Sequence, residues 1–258
     1  MPPVSAEDWA RLPAVFQELD GPEICGIQAA YATCTEFMDR NVGLVLDALA
    51  ATEFDRNTIV IFTSDHGYLL GQHGRFEKHC CFEEAIRSAL IMRLPGMTHE
   101  PRSTGARVQL MDLAPTLLDL CGLTIPSNMQ GTSFQPVLRG ETSEHHQRIF
   151  VEYSDNAEAA VIEGRWKAIY TTNRRRRRDG YGCSFAQSGP SAHLFDLDAD
   201  PQELTNLAGE KAHRPTLNQL LHRLAEHLVA TDRRGRGSDL ACDEDVFEAC
   251  LQPVEIAR

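Results

Sequence analysis

Between residues 64 and 79 the chain concentrates side chains that bind metal ions and oxyanions. The segment Ser64-Asp65-His66-Gly67 is followed by His73 and then by Lys78. A carboxylate and an imidazole are suitable ligands for a divalent cation, and glycine lets the backbone approach a ligand closely. The lysine adds a positive charge that can stabilise a tetrahedral ester anion. An Asp-His pair also occurs as a capping carboxylate beside a surface histidine, so both interpretations stand at this point.

Two predicted elements position this cluster. The apolar, β-branched run Thr58–Thr63 is typical of a strand covered on both faces in a parallel sheet. Before it, apolar residues recur every three or four positions from Glu23 to Leu49, which predicts a helix with one face on a core. A helix followed by a buried strand indicates an α/β fold. The polar cluster follows the strand directly, and ligands bind at this end of strands in open α/β sheets.

The rest of the chain predicts a second αβ unit, then an antiparallel meander with a helix. The predicted helical segments are 82–87, 110–121 and about 215–230, and the predicted strands are 89–94, 148–153, 159–163, 166–171 and 193–196. Gly122 is expected to cap the second helix. The predicted divisions are an α/β core at 1–140, a small α+β subdomain at 141–232 and a flexible tail at 233–258.

Composition narrows the functional classes. The 258 residues include 25 Lys and Arg against 37 Asp and Glu, a net charge of −12, so we expect no nucleic-acid partner. No apolar run is long enough for a membrane helix, so we expect no membrane partner. The basic run Arg174–Arg178 is either a solvated hairpin loop or a rim that attracts an anionic substrate. Eight cysteines are too sparse for a disulfide scaffold, and reduced thiols are expected.

Three blocks of the chain resemble the sulfatases of the alkaline-phosphatase-like superfamily. They are TIVIFTSDHGYLLGQHGRFEKHCCFEEAIRSALIMRLPG, VQLMDLAPTLLDLCGLTIPSNMQGTSFQPVLRGE and HLFDLDADPQELTNLA. The resemblance implies part of that superfamily's core, a mixed and mostly parallel sheet with flanking helices. A small C-terminal antiparallel sheet packed with a helix would complete this portion.

The resemblance also implies roles for individual residues. Asp65 and His66 match the family's metal-binding pair, and Lys78 matches the lysine that contacts sulfate. His73 either contacts substrate oxygens or holds the glycine-rich loop. The candidate catalytic and substrate-binding residues are Lys78 and His73. The Asp-His form resembles the branch of iduronate and choline sulfatases and phosphonate monoester hydrolases. The implied cofactor is a divalent metal, Ca²⁺ first, with Mn²⁺ or Zn²⁺ as alternatives because of the imidazole.

The sequence departs from the family at the nucleophile. Sulfatases convert the Cys or Ser of a C/S-x-P/A-x-R motif to formylglycine, and this sequence contains neither that motif nor an Asp-Asp pair. We therefore interpret the chain as the C-terminal half of a sulfatase, in a truncated or split form, with formylglycine expected in an N-terminal half.

The expected activity is hydrolysis of sulfate esters. The alternatives are a phosphonate or phosphate monoester hydrolase and a non-catalytic module that binds anions or glycans. Expected partners are a sulfated small molecule or glycan, and either a separate N-terminal half or a second copy of the chain. The first residues lack a basic and apolar leader, which predicts a cytoplasmic chain as given, with a periplasmic or secreted location if the true N-terminus lies elsewhere.

Overall fold

A computed structural model of the chain describes residues 18–96, 103–153, 158–172, 190–232, 235, 240 and 243–251. The predictions for Arg174–Arg178 and for Cys183 and Cys242 therefore lie outside the described residues. Contacts divide the chain into a first unit, residues 1–100 with 177–187, and a second unit, residues 101–176 with 188–258. This division falls earlier than the predicted boundary at residue 140. No helix in the described ranges combines the length and the apolar character that a membrane span requires.

Among its described residues, the first unit contains two α-helices and one pair of strands. They are α1 (Gly21–Ala50), β1 (Val60–Thr63), α2 (Glu83–Ile86) and β2 (Leu90–Arg93). Helix α1 begins with a capping box in which the side chains of Asp20 and Glu23 each accept a hydrogen bond from the other residue's backbone N–H. The predicted helix is confirmed. Its predicted burial is wrong, because Ile24 is its only buried residue among those described.

The pairing of β1 and β2 also corrects a prediction. The two strands are antiparallel, with Val60 opposite Arg93 and Thr63 opposite Leu90, whereas the apolar run predicted parallel pairing. A parallel partner requires a crossover that carries the chain back to the start of the first strand. Here the connection returns at the same end, where Ser64 meets Ala89. The described strands contain no parallel pair, although the α/β class with a small antiparallel sheet is confirmed.

Among its described residues, the second unit contains a four-stranded antiparallel meander and four α-helices. Its elements are α3 (Leu113–Leu120), α4 (Gln135–Arg139), β3 (Arg148–Tyr153), β4 (Glu158–Glu163), β5 (Trp166–Thr171), β6 (Ser191–Asp196), α5 (Arg214–Thr231) and α6 (Asp243–Cys250). The strand order β3-β4-β5-β6 confirms the predicted meander. Gly122 has φ of 68° just after α3, so the predicted glycine cap is confirmed.

The core of the second unit lies between the sheet and helices α5 and α6. Val161 and Leu194 of the sheet are buried in one cluster with Leu224 of α5 and Phe247 of α6. Phe247 stacks on Tyr170 with ring centroids 4.0 Å apart. Residues 243–251 are therefore part of the core, which corrects the predicted flexible tail for this segment. None of the six cysteines that the structure describes forms a disulfide.

Candidate active site

The polar cluster starts where β1 ends. The Ser64 backbone N–H donates to the carbonyl oxygen of Ala89 at 3.3 Å, and the Ala89 N–H donates to Ser64 Oγ at 3.0 Å. These two hydrogen bonds tie the residue after β1 to the residue before β2. The backbone that leads into Asp65 and His66 is therefore held in place at the end of a strand.

The ring of His66 is oriented by its own backbone. Its Nδ1 lies 2.7 Å from the carbonyl oxygen of Gly67, and a carbonyl oxygen can only accept, so Nδ1 carries the proton. The lone pair of the neutral ring is then on Nε2. That atom lies 3.3 Å from Asp65 Oδ2 and 2.6 Å from Lys78 Nζ. Backbone hydrogen bonds of this kind select the tautomer of metal-binding histidines.

The loop between residues 67 and 80 brings Lys78 to His66. Its backbone closes on itself, since Leu69 N–H donates to Glu77 O at 3.0 Å and Gly71 N–H donates to Arg75 O at 2.8 Å. Gly67 is packed so closely that a Cβ there would lie 2.0 Å from the carbonyl oxygen of Glu84. The predicted association of Asp65, His66 and Lys78 is thus present within one unit.

His73 lies elsewhere in the same loop. Its ring is buried and stacks on Phe82, with centroids 3.7 Å apart and planes 8° from parallel, and its Nε2 lies 3.7 Å from Glu84 Oε2. Its backbone has φ of 52°, a left-handed conformation that is unfavourable for a side chain with a Cβ. Burial, stacking and backbone conformation all favour the loop-holding role over substrate contact.

The Asp65–His66 pair suits a divalent cation but supplies only part of its ligands. The Asp65 side chain is 84% exposed and the His66 side chain 33%, so both are accessible to an ion. Zinc takes four ligands and calcium six or more. Within the described residues, no third His, Cys, Asp or Glu side chain completes a group of three with this pair. Asp65 and His66 are therefore suitable metal ligands, but they form only part of a complete coordination sphere.

Two family models match the sequence, and their ranges overlap across the segment that carries Lys78. The model described as N-sulphoglucosamine sulphohydrolase, C-terminal, matches residues 71–230, and the model described as Sulfatase matches residues 2–123. The chain belongs to the sulfatase family.

Named sulfatases agree with this assignment, and solved structures share the fold. The N-acetylglucosamine-6-O-sulfatase of Bacteroides thetaiotaomicron is 30% identical over 195 residues, 73% of this chain and 33% of that protein. A solved structure of BT4656 with its substrate D-glucosamine-2-N,6-O-disulfate has a TM-score of 0.59 and 27% identity, covering 80% of this chain and 40% of that one. The phosphonate monoester hydrolase SpPMH of Silicibacter pomeroyi has a TM-score of 0.70 at 24% identity, covering 91% and 50%. The chain spans between about a third and a half of the length of the curated sulfatases it matches.

The structure also groups residues that the sequence analysis did not single out. Asp112, His145 and His146 of the second unit converge at the start of α3. The adjacent histidines were the only local signal, and Asp112 lies 33 residues before them. Sequence patterns do not report a contact between segments so far apart.

Proposed function

We propose that this chain supplies the metal-binding and sulfate-binding part of an enzyme that hydrolyses sulfate esters. The observation that carries the proposal is the convergence of Asp65, His66 and Lys78 at the end of β1. Membership of the sulfatase family supports the same reaction. A bound metal ion would neutralise charge on the transferring group.

One atom, His66 Nε2, is both a potential metal ligand and the hydrogen-bond partner of Lys78. His66 Nε2 has a single lone pair, which Lys78 Nζ uses at 2.6 Å. Asp65 and His66 Nε2 would hold the divalent metal, and with Nε2 used in that way the ammonium of Lys78 would be available to an anionic substrate. Lys78 would then bind a sulfate oxygen and stabilise the negative charge that develops on it. His73 holds the loop that carries Lys78.

The substrate class that we propose is a sulfated glycan or a small sulfated molecule. Relatives support this choice, since one acts on N-acetylglucosamine-6-O-sulfate groups by its name and another structure contains a disulfated glucosamine. The metal that we propose is Ca²⁺, with Mn²⁺ and Zn²⁺ as competitors because of the imidazole ligand.

The proposed reaction requires a covalent nucleophile that these 258 residues do not supply in the sulfatase motif. No Cys or Ser of these 258 residues stands in a C/S-x-P/A-x-R motif. We propose that a formylglycine belongs to an N-terminal half, present in a longer protein or in a separate chain. Loss of a covalent nucleophile removes several powers of ten in rate, so the 258 residues alone should show little turnover.

The test is turnover of an aryl sulfate by the protein expressed from the complete gene, together with any adjacent gene that encodes the missing motif. We expect Lys78→Ala to reduce kcat/KM by about 100-fold or more, as removal of one electrostatic donor does. Lys211→Ala is the matched control, because Lys211 is an exposed lysine of the second unit and should leave turnover unchanged. Equal activity of the two variants would contradict the role of Lys78.

A second candidate is hydrolysis of phosphonate or phosphate monoesters. The likeness to the fold of a phosphonate monoester hydrolase favours it, and both substrates are tetrahedral anions. Parallel assays with an aryl sulfate and an aryl phosphonate separate the two, and a clear phosphonate preference would overturn the sulfatase proposal. Binding of sulfated glycan with no turnover of either ester, even with the nucleophile-bearing half present, would favour the non-catalytic module.

A further inference from the structure

Three side chains from separate segments of the second unit converge at the start of α3. Asp112 immediately precedes α3, and His145 and His146 lie just before β3. The Nε2 atoms of His146 and His145 lie 2.8 Å and 3.5 Å from the same oxygen, Asp112 Oδ2. All three ligand atoms lie within 4.8 Å of one another. We propose that Asp112, His145 and His146 bind a zinc ion, with a fourth position open to water.

The distances suit a tetrahedral ion. Zinc bonds to imidazole nitrogen and carboxylate oxygen measure about 2.0–2.2 Å, so neighbouring ligand atoms stand about 3.3 Å apart. The two measured distances to Asp112 Oδ2, 2.8 and 3.5 Å, lie on either side of that separation. Small rotations of the histidine rings would therefore admit the ion without movement of the backbone.

The carboxylate is already held in place by backbone donors. Thr132 N–H donates to Asp112 Oδ1 at 2.9 Å, and Gln109 N–H donates to Oδ2 at 2.8 Å. Gly131 permits this approach, since a Cβ there would lie 2.1 Å from the carbonyl oxygen of Met111. Hydrogen bonds to a ligating carboxylate orient it and raise metal affinity. The supporting contacts of a metal site are thus present around Asp112.

The same oxygen is crowded when no ion is bound. A carboxylate oxygen has two lone-pair positions, and Gln109 N–H and His146 Nε2 occupy both. His145 Nε2 is left at 3.5 Å from Oδ2 and 3.3 Å from Thr132 Oγ1. An ion placed among the three atoms would use both imidazoles at once. This arrangement differs from a simple Asp–His ion pair, which needs only one ring.

The ligand types select a transition metal. Two imidazoles and one carboxylate match zinc, whereas calcium and magnesium prefer oxygen ligands throughout. The Asp112 side chain is completely buried, and those of His145 and His146 are 10% and 24% exposed, so the site is sheltered but open on the His146 side.

The test is metal binding by the full chain carrying His66→Gln, which removes the first unit's imidazole ligand. After treatment with EDTA, this protein should bind one equivalent of Zn²⁺ by calorimetry. Co²⁺ should give the visible absorption of a four-coordinate ion. His145→Gln, His146→Gln and the double variant should each lose the bound equivalent of Zn²⁺ and the visible absorption of Co²⁺. His213→Gln is the control, because this histidine of the same unit pairs with Glu210 at 3.6 Å and should leave both signals intact.

Fold integrity is checked by thermal unfolding of every variant in EDTA. Zn²⁺ should raise the melting temperature of the protein that keeps both histidines, and it should leave that of the double variant unchanged. The proposal is overturned if zinc binding persists in the folded double variant, or if the protein with both histidines binds no zinc. Either result is independent of sulfatase activity.

Discussion

The two units differ in how completely they bury their apolar residues. The second unit encloses one continuous core between a sheet and two helices, and Leu194, Leu224 and Phe247 are almost inaccessible. In the first unit, by contrast, Phe37 is 67% exposed on α1 and Ile91 is 65% exposed on β2. The unit that carries the proposed active site is therefore the one that leaves more of its apolar surface uncovered.

The buried contacts of the first unit surround the loop that bears Lys78. Ile24 of α1 packs on Phe76, and Gln28 donates from Nε2 to the carbonyl oxygen of Leu70 at 2.8 Å. Beyond these first turns, the helix exposes a group of large apolar side chains, namely Tyr31, Phe37, Met38, Leu44, Val45 and Leu46. The comparison teaches that local packing holds the site loop, while the rest of α1 offers apolar surface for further packing.

The largest expected effect contrasts one phenylalanine in each unit. Phe247→Ala should lower the free energy of unfolding by about 3–5 kcal/mol, because it empties a filled core position. Phe37→Ala should change it by less than about 0.5 kcal/mol, since the ring is largely exposed. Chemical denaturation of both variants measures the difference. Similar values for the two would remove the contrast between the units.

A smaller effect is expected from glycine substitutions inside the first unit. Gly67→Ala should cost about 1–3 kcal/mol, because its Cβ would clash with the carbonyl oxygen of Glu84 and push the site loop outward. Gly43→Ala in α1 is the control, since nothing lies within 4 Å of its Cβ and alanine favours a helix. Hydrogen exchange of residues 60–93 should quicken only for Gly67→Ala. Unchanged exchange there would mean that the loop is loosely held.

The helix cap provides a still smaller effect. Asp20→Ala removes the acceptor for Glu23 N–H and should cost about 1 kcal/mol, seen as faster exchange in the first turn of α1. Asp39→Ala, at an exposed position in the middle of the same helix, should not produce this change. If the two variants behave alike, the capping box does not stabilise α1.

The smallest effect concerns pH and the junction between α5 and α6. The hydrogen bond to Asp243 is the main cause that raises the pKa of His222 above 6.5, and the negative charges of Asp243 and Glu226 add to it. The stabilising contribution is therefore complete below about pH 6.5 and is lost as pH rises through the raised pKa. The protection factors of amides 243–250, which correct for the base-catalysed rise of intrinsic exchange with pH, should fall as the pH rises above about 6.5. His222→Gln should remove this pH dependence, and an unchanged profile would assign it to another group.

Sequence patterns predicted the helices and strands of both units better than they predicted the burial and the pairing of those elements. The helix over Glu23–Leu49 and the strands of the meander follow from local periodicity, and the structure confirms them. Periodicity reports that a helix has an apolar face but not what covers it, so the exposure of α1 was missed. Strand direction was missed for a related reason, since Thr58–Thr63 looks the same in a parallel or antiparallel pair.

The site was predictable where its residues are close in the chain. Asp65, His66 and Lys78 lie within fourteen positions, and the structure brings their polar groups together. Contacts between distant segments were not predictable, as for Asp112 with His145. The buried ion pair between Lys167 and Glu203, at 2.7 Å, is a second example. Burial of two charges requires the whole surrounding fold, which no local pattern describes.

The lysines of this chain form a built-in chemical reporter. The sequence contains three lysines, and they occupy three environments. Lys78 is exposed and its amine contacts the ring of His66, whereas Lys211 is exposed on the second unit. Lys167 is completely buried. An amine-reactive reagent would modify Lys211 at the rate of an ordinary surface amine. Modification of Lys78 would report on the site loop, and modification of Lys167 on the opening of the second unit. One labelling reaction, read by mass spectrometry, would thus follow both units at once.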